Sequence, residues 1–156
     1  MAVQFQCVTR TALPVQELFD RSLSIDGHIA SMRHSAERAV AGVRSGQIGL
    51  GEQVTWRARH FGLPIRMTSR ITALESPRFF IDEQVTGPFA FFYHLHEFRV
   101  EHGQTVMVDT VRFRAPFGAL GWLVERLILG KYLRKLIEIR NQHLVSNEAV
   151  GGKEPR

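Results

Sequence analysis

The chain has 156 residues, 44% of them hydrophobic, and a formal net charge of +5 from 20 Lys and Arg against 15 Asp and Glu. That length buries one sizeable core and is short for two, so one domain over residues 1–145 is expected, with 146–156 as a flexible tail containing Gly151, Gly152 and Pro155. The basic residues are dispersed and no zinc-finger or RNA-binding motif occurs, so no nucleic-acid partner is expected. A lone cysteine, Cys7, excludes an intramolecular disulfide and fits a reduced, cytoplasmic setting, while no window approaches the ~20 apolar residues of a membrane span and Met1–Gln6 lacks the features of a secretory leader.

Val3 to Thr9 alternates apolar and polar residues, which predicts a half-buried strand. Pro14 opens a short helix and Ser24 is placed to cap a second. From Ala36 to Ala115 the pattern is strand after strand, punctuated by Gly46, Gly49, Gly51, Gly62, Pro64, Pro77, Gly87-Pro88 and Gly103. Links this short join antiparallel neighbours. After Pro116 the period becomes helical, and Leu120, Leu123, Val124, Leu127, Leu133, Leu136, Ile137 and Leu144 are expected to form one apolar stripe down a long helix. The implied fold class is α+β: a curved antiparallel sheet whose oily face is covered by the terminal helix, with a pocket wherever sheet and helix part.

The turns fix which residues face that pocket. A two-residue link at His102-Gly103 sets Phe98 opposite Met107, His96 opposite Asp109, His94 opposite Val111 and Phe92 opposite Phe113, all on one face. Leu95, Glu97, Arg99, Val108, Thr110, Arg112 and Arg114 fall on the other, which is assigned to solvent. A similar link at Phe61-Gly62 pairs Trp56 with Met67 and turns Arg57, Arg59, Arg66 and Arg70 outward. If the loop around Gly87-Pro88 spans Thr86 to Ala90, Phe80, Asp82 and Gln84 join the inner face; a loop one residue shorter turns Ile81 and Glu83 inward instead. The predicted ligand-binding wall is Trp56, Met67, Ile71, Phe80, Asp82, Gln84, Phe92, Phe98, Met107, Val111 and Phe113; Arg140, near the apolar stripe of the helix, either reaches a ligand carboxylate at the cavity mouth or, more ordinarily, snorkels to water with its stem packed.

In these features the chain resembles the SRPBCC superfamily, the START and birch-pollen-allergen-like helix-grip domains, and within it the bacterial polyketide cyclase/dehydrase-like branch. The resemblance runs from Val3 to Leu144. It is carried by the element order and by Gly51-Glu52-Gln53-Val54-Thr55-Trp56, Asp82-Glu83-Gln84-Val85-Thr86-Gly87-Pro88-Phe89, His94-Leu95-His96-Glu97-Phe98, Met107-Val108-Asp109, Ala115-Pro116-Phe117-Gly118 and the segment Arg140 to Leu144. It implies a seven-stranded sheet gripping the C-terminal helix around a cavity for lipids, sterols or polyketides. It brings no invariant catalytic set.

Ionisable groups enter an apolar wall only with partners or water. His96 and Asp109 are the leading acid–base pair, the carboxylate orienting the imidazole and His94 polarising a ligand carbonyl; a satisfied cross-strand hydrogen bond is the plainer role. His94 and His96 with Asp82 or Asp109 also match a two-His-one-carboxylate metal pattern, but no third ligand stands at a fixed spacing, so neither a metal nor another cofactor is expected. The leading function is binding of a small hydrophobic or amphipathic molecule. A cyclase or dehydratase using the cavity His and Asp residues, and a regulatory module acting through the basic convex face, are the alternatives; an acidic protein or a second copy of the chain is the protein partner in view.

Overall fold

The computed structural model describes residues 2–146; Met1 and the expected tail from residue 147 lie outside the described residues. Strand β1 (Val3–Thr11) leads into two short helices, α1 (Val15–Ser22) and α2 (Ile25–Ser31). Six strands follow: β2 (Arg38–Gly42), β3 (Gln53–His60), β4 (Leu63–Glu75), β5 (Phe79–Thr86), β6 (Phe91–Glu101) and β7 (Gln104–Arg114). Helix α3 (Gly118–Val124), a π-helical turn (Glu125–Leu129) and α4 (Gly130–Val145) then run on as one long helical segment. The seven strands form one antiparallel sheet in the order β1-β7-β6-β5-β4-β3-β2, the first strand flanking the last. This is the helix-grip architecture expected from the element order. Among the described residues no helix is long and apolar enough to cross a membrane.

Turn chemistry sets the registers. Phe61, Gly62, His102 and Gly103 all have positive φ, the conformation two-residue hairpin links require. Trp56 accordingly pairs with Met67 and His96 with Asp109. At the hairpin whose loop length was open, Phe80 pairs with His96 and Asp82 with His94, so Phe80 and Asp82 take the concave side. Ser24 caps α2 by accepting the Gly27 amide at 3.0 Å, which fixes where the second helix starts.

Two groups of apolar side chains hold sheet and helices together. Leu18 and Phe19 of α1 pack on Phe80, Phe98 and Met107, with Phe19 edge-on to Phe98 at 5.2 Å between ring centres. Phe5, Cys7, Val111 and Phe113 pack against Leu133 and Ile137 of α4. Each such large side chain contributes about 1.5–3 kcal/mol on leaving water. The space between the two groups is left unfilled.

Two expectations about faces are corrected. Val108 and Thr110, assigned to solvent, are buried, because β7 has neighbours on both sides: Val8 stands across from Val108, and Gln6 Nε2 donates to Thr110 Oγ1 at 3.0 Å. The arginines of that face, Arg57, Arg59, Arg66, Arg70, Arg112 and Arg114, do stay exposed. The apolar stripe on the terminal helix is not continuous either. Leu120 is 70% exposed and Leu127 60%, whereas Leu129, Leu133, Ile137 and Leu144 turn inward. With 3.6 residues per turn, the two sets lie about a third of a turn apart. In the first part of the helical segment the residues that face the protein are Gly121 and Glu125, and Glu125 bends back to accept the Ala115 amide.

Candidate functional site

A cavity of about 330 Å³ separates the concave face from α4. Its sheet wall is Trp56, Met67, Ile71, Phe80, Phe92 and Val111; Leu133, Leu136 and Ile137 close it from the helix, and Met32 and His28 from the α2 side. Most of this lining is apolar, as a site for a small molecule requires. Besides the His28–Glu37 pair, 3.0 Å apart, two groupings of polar side chains stand on it.

The first is a buried cluster at the inner end. His94 and His96 lie two apart on β6, so both rings project to the same side, 3.7 Å between centres, and His96 is stacked on Phe80 at 4.1 Å. His94 Nε2 bonds Asp109 Oδ1 at 2.8 Å and His96 Nε2 bonds Asp82 Oδ2 at 2.7 Å. The expected pairing is therefore corrected. His96 stands directly across from Asp109, and its Nδ1 lies 2.9 Å from Oδ1, but off the line a hydrogen bond needs; the carboxylate leans to His94 instead. Asn141 Nδ2 donates to the other oxygen of Asp109 at 2.6 Å, and Arg140 Nη1 approaches Oδ1 to 3.5 Å. Asp109 is completely enclosed, and Arg140 is buried too, not extended to water.

Burial alone would raise both carboxylates. The hydrogen bond from His96, with the positive charge of its surroundings, holds Asp82 below its ordinary range, and the bond from His94 with the close approach of His96 holds Asp109 well below it. His94 moves the other way for a base: burial first, then the neighbouring His96, lower its pKa against the pull of both aspartates. The cluster thus keeps two anionic carboxylates beside a neutral His94. Asp82, His94 and His96 are also the described residues able to hold a metal, one donor atom of each lying within 4.8 Å of the others.

The second polar place is the mouth. His60 Nδ1 and the Tyr132 hydroxyl are 2.6 Å apart, and Phe61 lies against Tyr132 with 4.5 Å between ring centres. The tip of the β3–β4 hairpin is in this way latched to α4.

Of the residues predicted to bind ligand, Trp56, Met67, Ile71, Phe80, Asp82, Phe92, Val111 and Arg140 line the cavity, with His94 and His96. Four do not. Phe98 and Met107 are taken up under α1, and Phe113 packs with Phe5 and Phe89. Gln84 is on the concave side of β5 but spends its amide on the backbone N–H and C=O of Phe89, tying down the β5–β6 loop. Asp109 sits behind the histidines. Three participants escaped the sequence reading. Asn141 was legible as a polar residue between Ile137 and Leu144 on the buried side of α4; His60 and Tyr132 carry no signal, because their meeting depends on the sheet's curvature.

Many solved structures share this fold, among them the following three. TTHA0849 from Thermus thermophilus aligns with a TM-score of 0.73 at 14% identity, over 96% of this chain and 100% of that one. The Zhui aromatase/cyclase from Streptomyces sp. R1128 aligns at 0.68 and 14% identity, over 98% and 100%. Major latex-like protein 151 from Panax ginseng aligns at 0.61 and 11% identity, over 93% and 99%. No family model matches the chain, and no curated protein is similar to it in sequence. The chain therefore has the helix-grip fold, the architecture that its resemblance to the SRPBCC superfamily implies.

Proposed function

We propose that residues 1–145 act as one binding domain for a small hydrophobic or amphipathic molecule, lipid-like or polyketide-like. The observation that supports this most directly is an apolar cavity of about 330 Å³ ending in a buried polar cluster, so that an oily body and one polar head are both provided for. The head would meet Arg140, Asp82 and the two imidazoles; the body would lie among Trp56, Met67, Leu133 and Ile137. Native mass spectrometry of gently purified protein, with displacement of a fluorescent fatty acid or polyphenol, tests it. A one-to-one complex is expected, weakened about tenfold by Leu133→Trp, which fills the cavity from α4, since roughly 1.4 kcal/mol is a factor of ten in affinity. Absence of any saturable complex would discard the reading.

A second reading is favoured by the presence of His94, His96 and Asp82 on the cavity wall, and by the aromatase/cyclase among the structures of this fold. In it the pocket folds a flexible poly-ketone, His96 moves a proton with Asp82 as its hydrogen-bond partner, and His94, held by Asp109, polarises a carbonyl. Unchanged turnover of such a substrate by His96→Gln would remove this assignment. On the convex side Arg38, Arg57 and Arg66 stand in one cross-strand row, like charges that repel unless an anion lies over them. An acidic partner protein docking there would lose affinity on charge reversal of Arg57 and Arg66.

A further inference from the structure

We infer that Asp82, His94 and His96 bind one divalent first-row transition-metal ion, of the class that includes Fe2+ and Zn2+, at the inner end of the cavity. The chain supplies no third ligand at a fixed spacing from the two histidines, but the sheet does: β5 sets Asp82 directly opposite His94. Asp82 Oδ2 lies 2.7 Å from His96 Nε2 and 3.8 Å from His94 Nδ1. Donors that each stand about 2.0–2.2 Å from an ion are roughly 3.0–3.5 Å from one another, which small rotations of the carboxylate and rings attain.

The ring nitrogens turned away from Asp82 meet a common support. His94 Nε2 and His96 Nδ1 approach the same oxygen of Asp109, at 2.8 Å and 2.9 Å, while Asn141 holds the other oxygen at 2.6 Å. A buried carboxylate behind a ligating imidazole selects its tautomer and raises its basicity, and here one carboxylate bonds the His94 ring and stands beside that of His96. The bond to Asp109 places the proton of His94 on Nε2, so its Nδ1 presents a lone pair toward a carboxylate oxygen 3.8 Å away. Lone pair and carboxylate repel; an ion bound to both turns that repulsion into coordination. Coordination of His96 through Nε2 would likewise leave Nδ1 carrying the proton, giving that buried nitrogen a donor role toward Asp109. Two carboxylates face a single guanidinium, Arg140, which leaves the cluster short of positive charge. Two imidazoles and one carboxylate suit borderline transition ions over Mg2+ or Ca2+, and all three side chains line the cavity.

The site stands on protein atoms alone and does not depend on the ligand-binding reading. Purified chain stripped with a chelator is titrated with Co2+, followed by calorimetry and visible absorption. One equivalent is expected, with a d–d band that Zn2+ abolishes. Asp82→Asn and His96→Gln, each removing a ligand, should weaken Co2+ by more than tenfold, and Asp109→Asn by about 10–100-fold with the band retained, as for other outer carboxylates. Lack of saturable Co2+ binding, or an affinity that neither Asp82→Asn nor His96→Gln changes, overturns the site. Fluorescent fatty-acid binding measured with chelator present is read separately, so failure of the metal site and failure of the cavity reading give different results.

Discussion

The two polar ends of the cavity are built on opposite principles. At the inner end every group is held several times over: Asp109 by His94, Asn141 and the approach of Arg140, His96 by Asp82 and by stacking on Phe80. At the mouth a single hydrogen bond, His60 to Tyr132, and the ring contacts of Tyr132 with His60 and Phe61 join hairpin to helix, and Phe61 is 61% exposed. Over-determined groups keep their geometry and are costly to disturb, while a one-bond latch opens and recloses with little loss. On the proposed binding reading, recognition would belong to the first end and admission to the second.

Substitutions sharpen that contrast in a definite order. Asp109→Ala leaves His94 and Arg140 buried without their carboxylate, and is expected to lower unfolding free energy by about 3–5 kcal/mol in urea titrations. Asn141→Ala strips one oxygen of Asp109 of its donor, for about 1–3 kcal/mol. Tyr132→Phe removes only the latch bond, about 0.5–1.5 kcal/mol, and should raise the association rate of a fluorescent cavity ligand in stopped flow. A loss at the mouth as large as that from Asp109→Ala would abolish the distinction.

At the mouth, acid supplies the smallest effect. Burial holds His60 below the ordinary histidine value; Glu37 opposes this and His34 adds to it. Just under about pH 6.5 the unfolded chain takes up a proton there that the folded chain does not, so stability falls as pH drops through that value. Glu37, lowered by His28 against the effect of its own burial, acts in the same sense at lower pH, its contribution vanishing as it protonates. Thermal melts of His60→Gln should show a flatter decline between neutrality and mild acid than the native chain.

How far the sequence foretold these ends differs between them. The inner face was legible because a two-residue turn with positive φ locks its hairpin, and alternation then carries His94, His96 and Asp109 to one side without further assumption. What alternation could not give is the leaning of Asp109 toward His94, which arises from Asn141 and Arg140 arriving on a helix remote in sequence. Nor could it separate cavity wall from packed core: Phe98 and Met107 share the face of Trp56 but lie under α1, whose seat on the sheet no local pattern encodes. The apolar stripe failed for a simpler reason, spacing read as continuous across a helix whose two parts present different sides.

The π-helical turn at Glu125–Leu129 carries one residue more than an α-helix would use over the same span. Excising Leu127 or Ile128, both open to solvent, therefore leaves Gly121 and Glu125 aimed where they already are, and the helix beyond Gly130 as well. Few interior deletions in a helix are so nearly silent in phase, and a shortened chain that still folds would mark this turn as a place where the lineage can gain or lose a residue without re-aiming the lid.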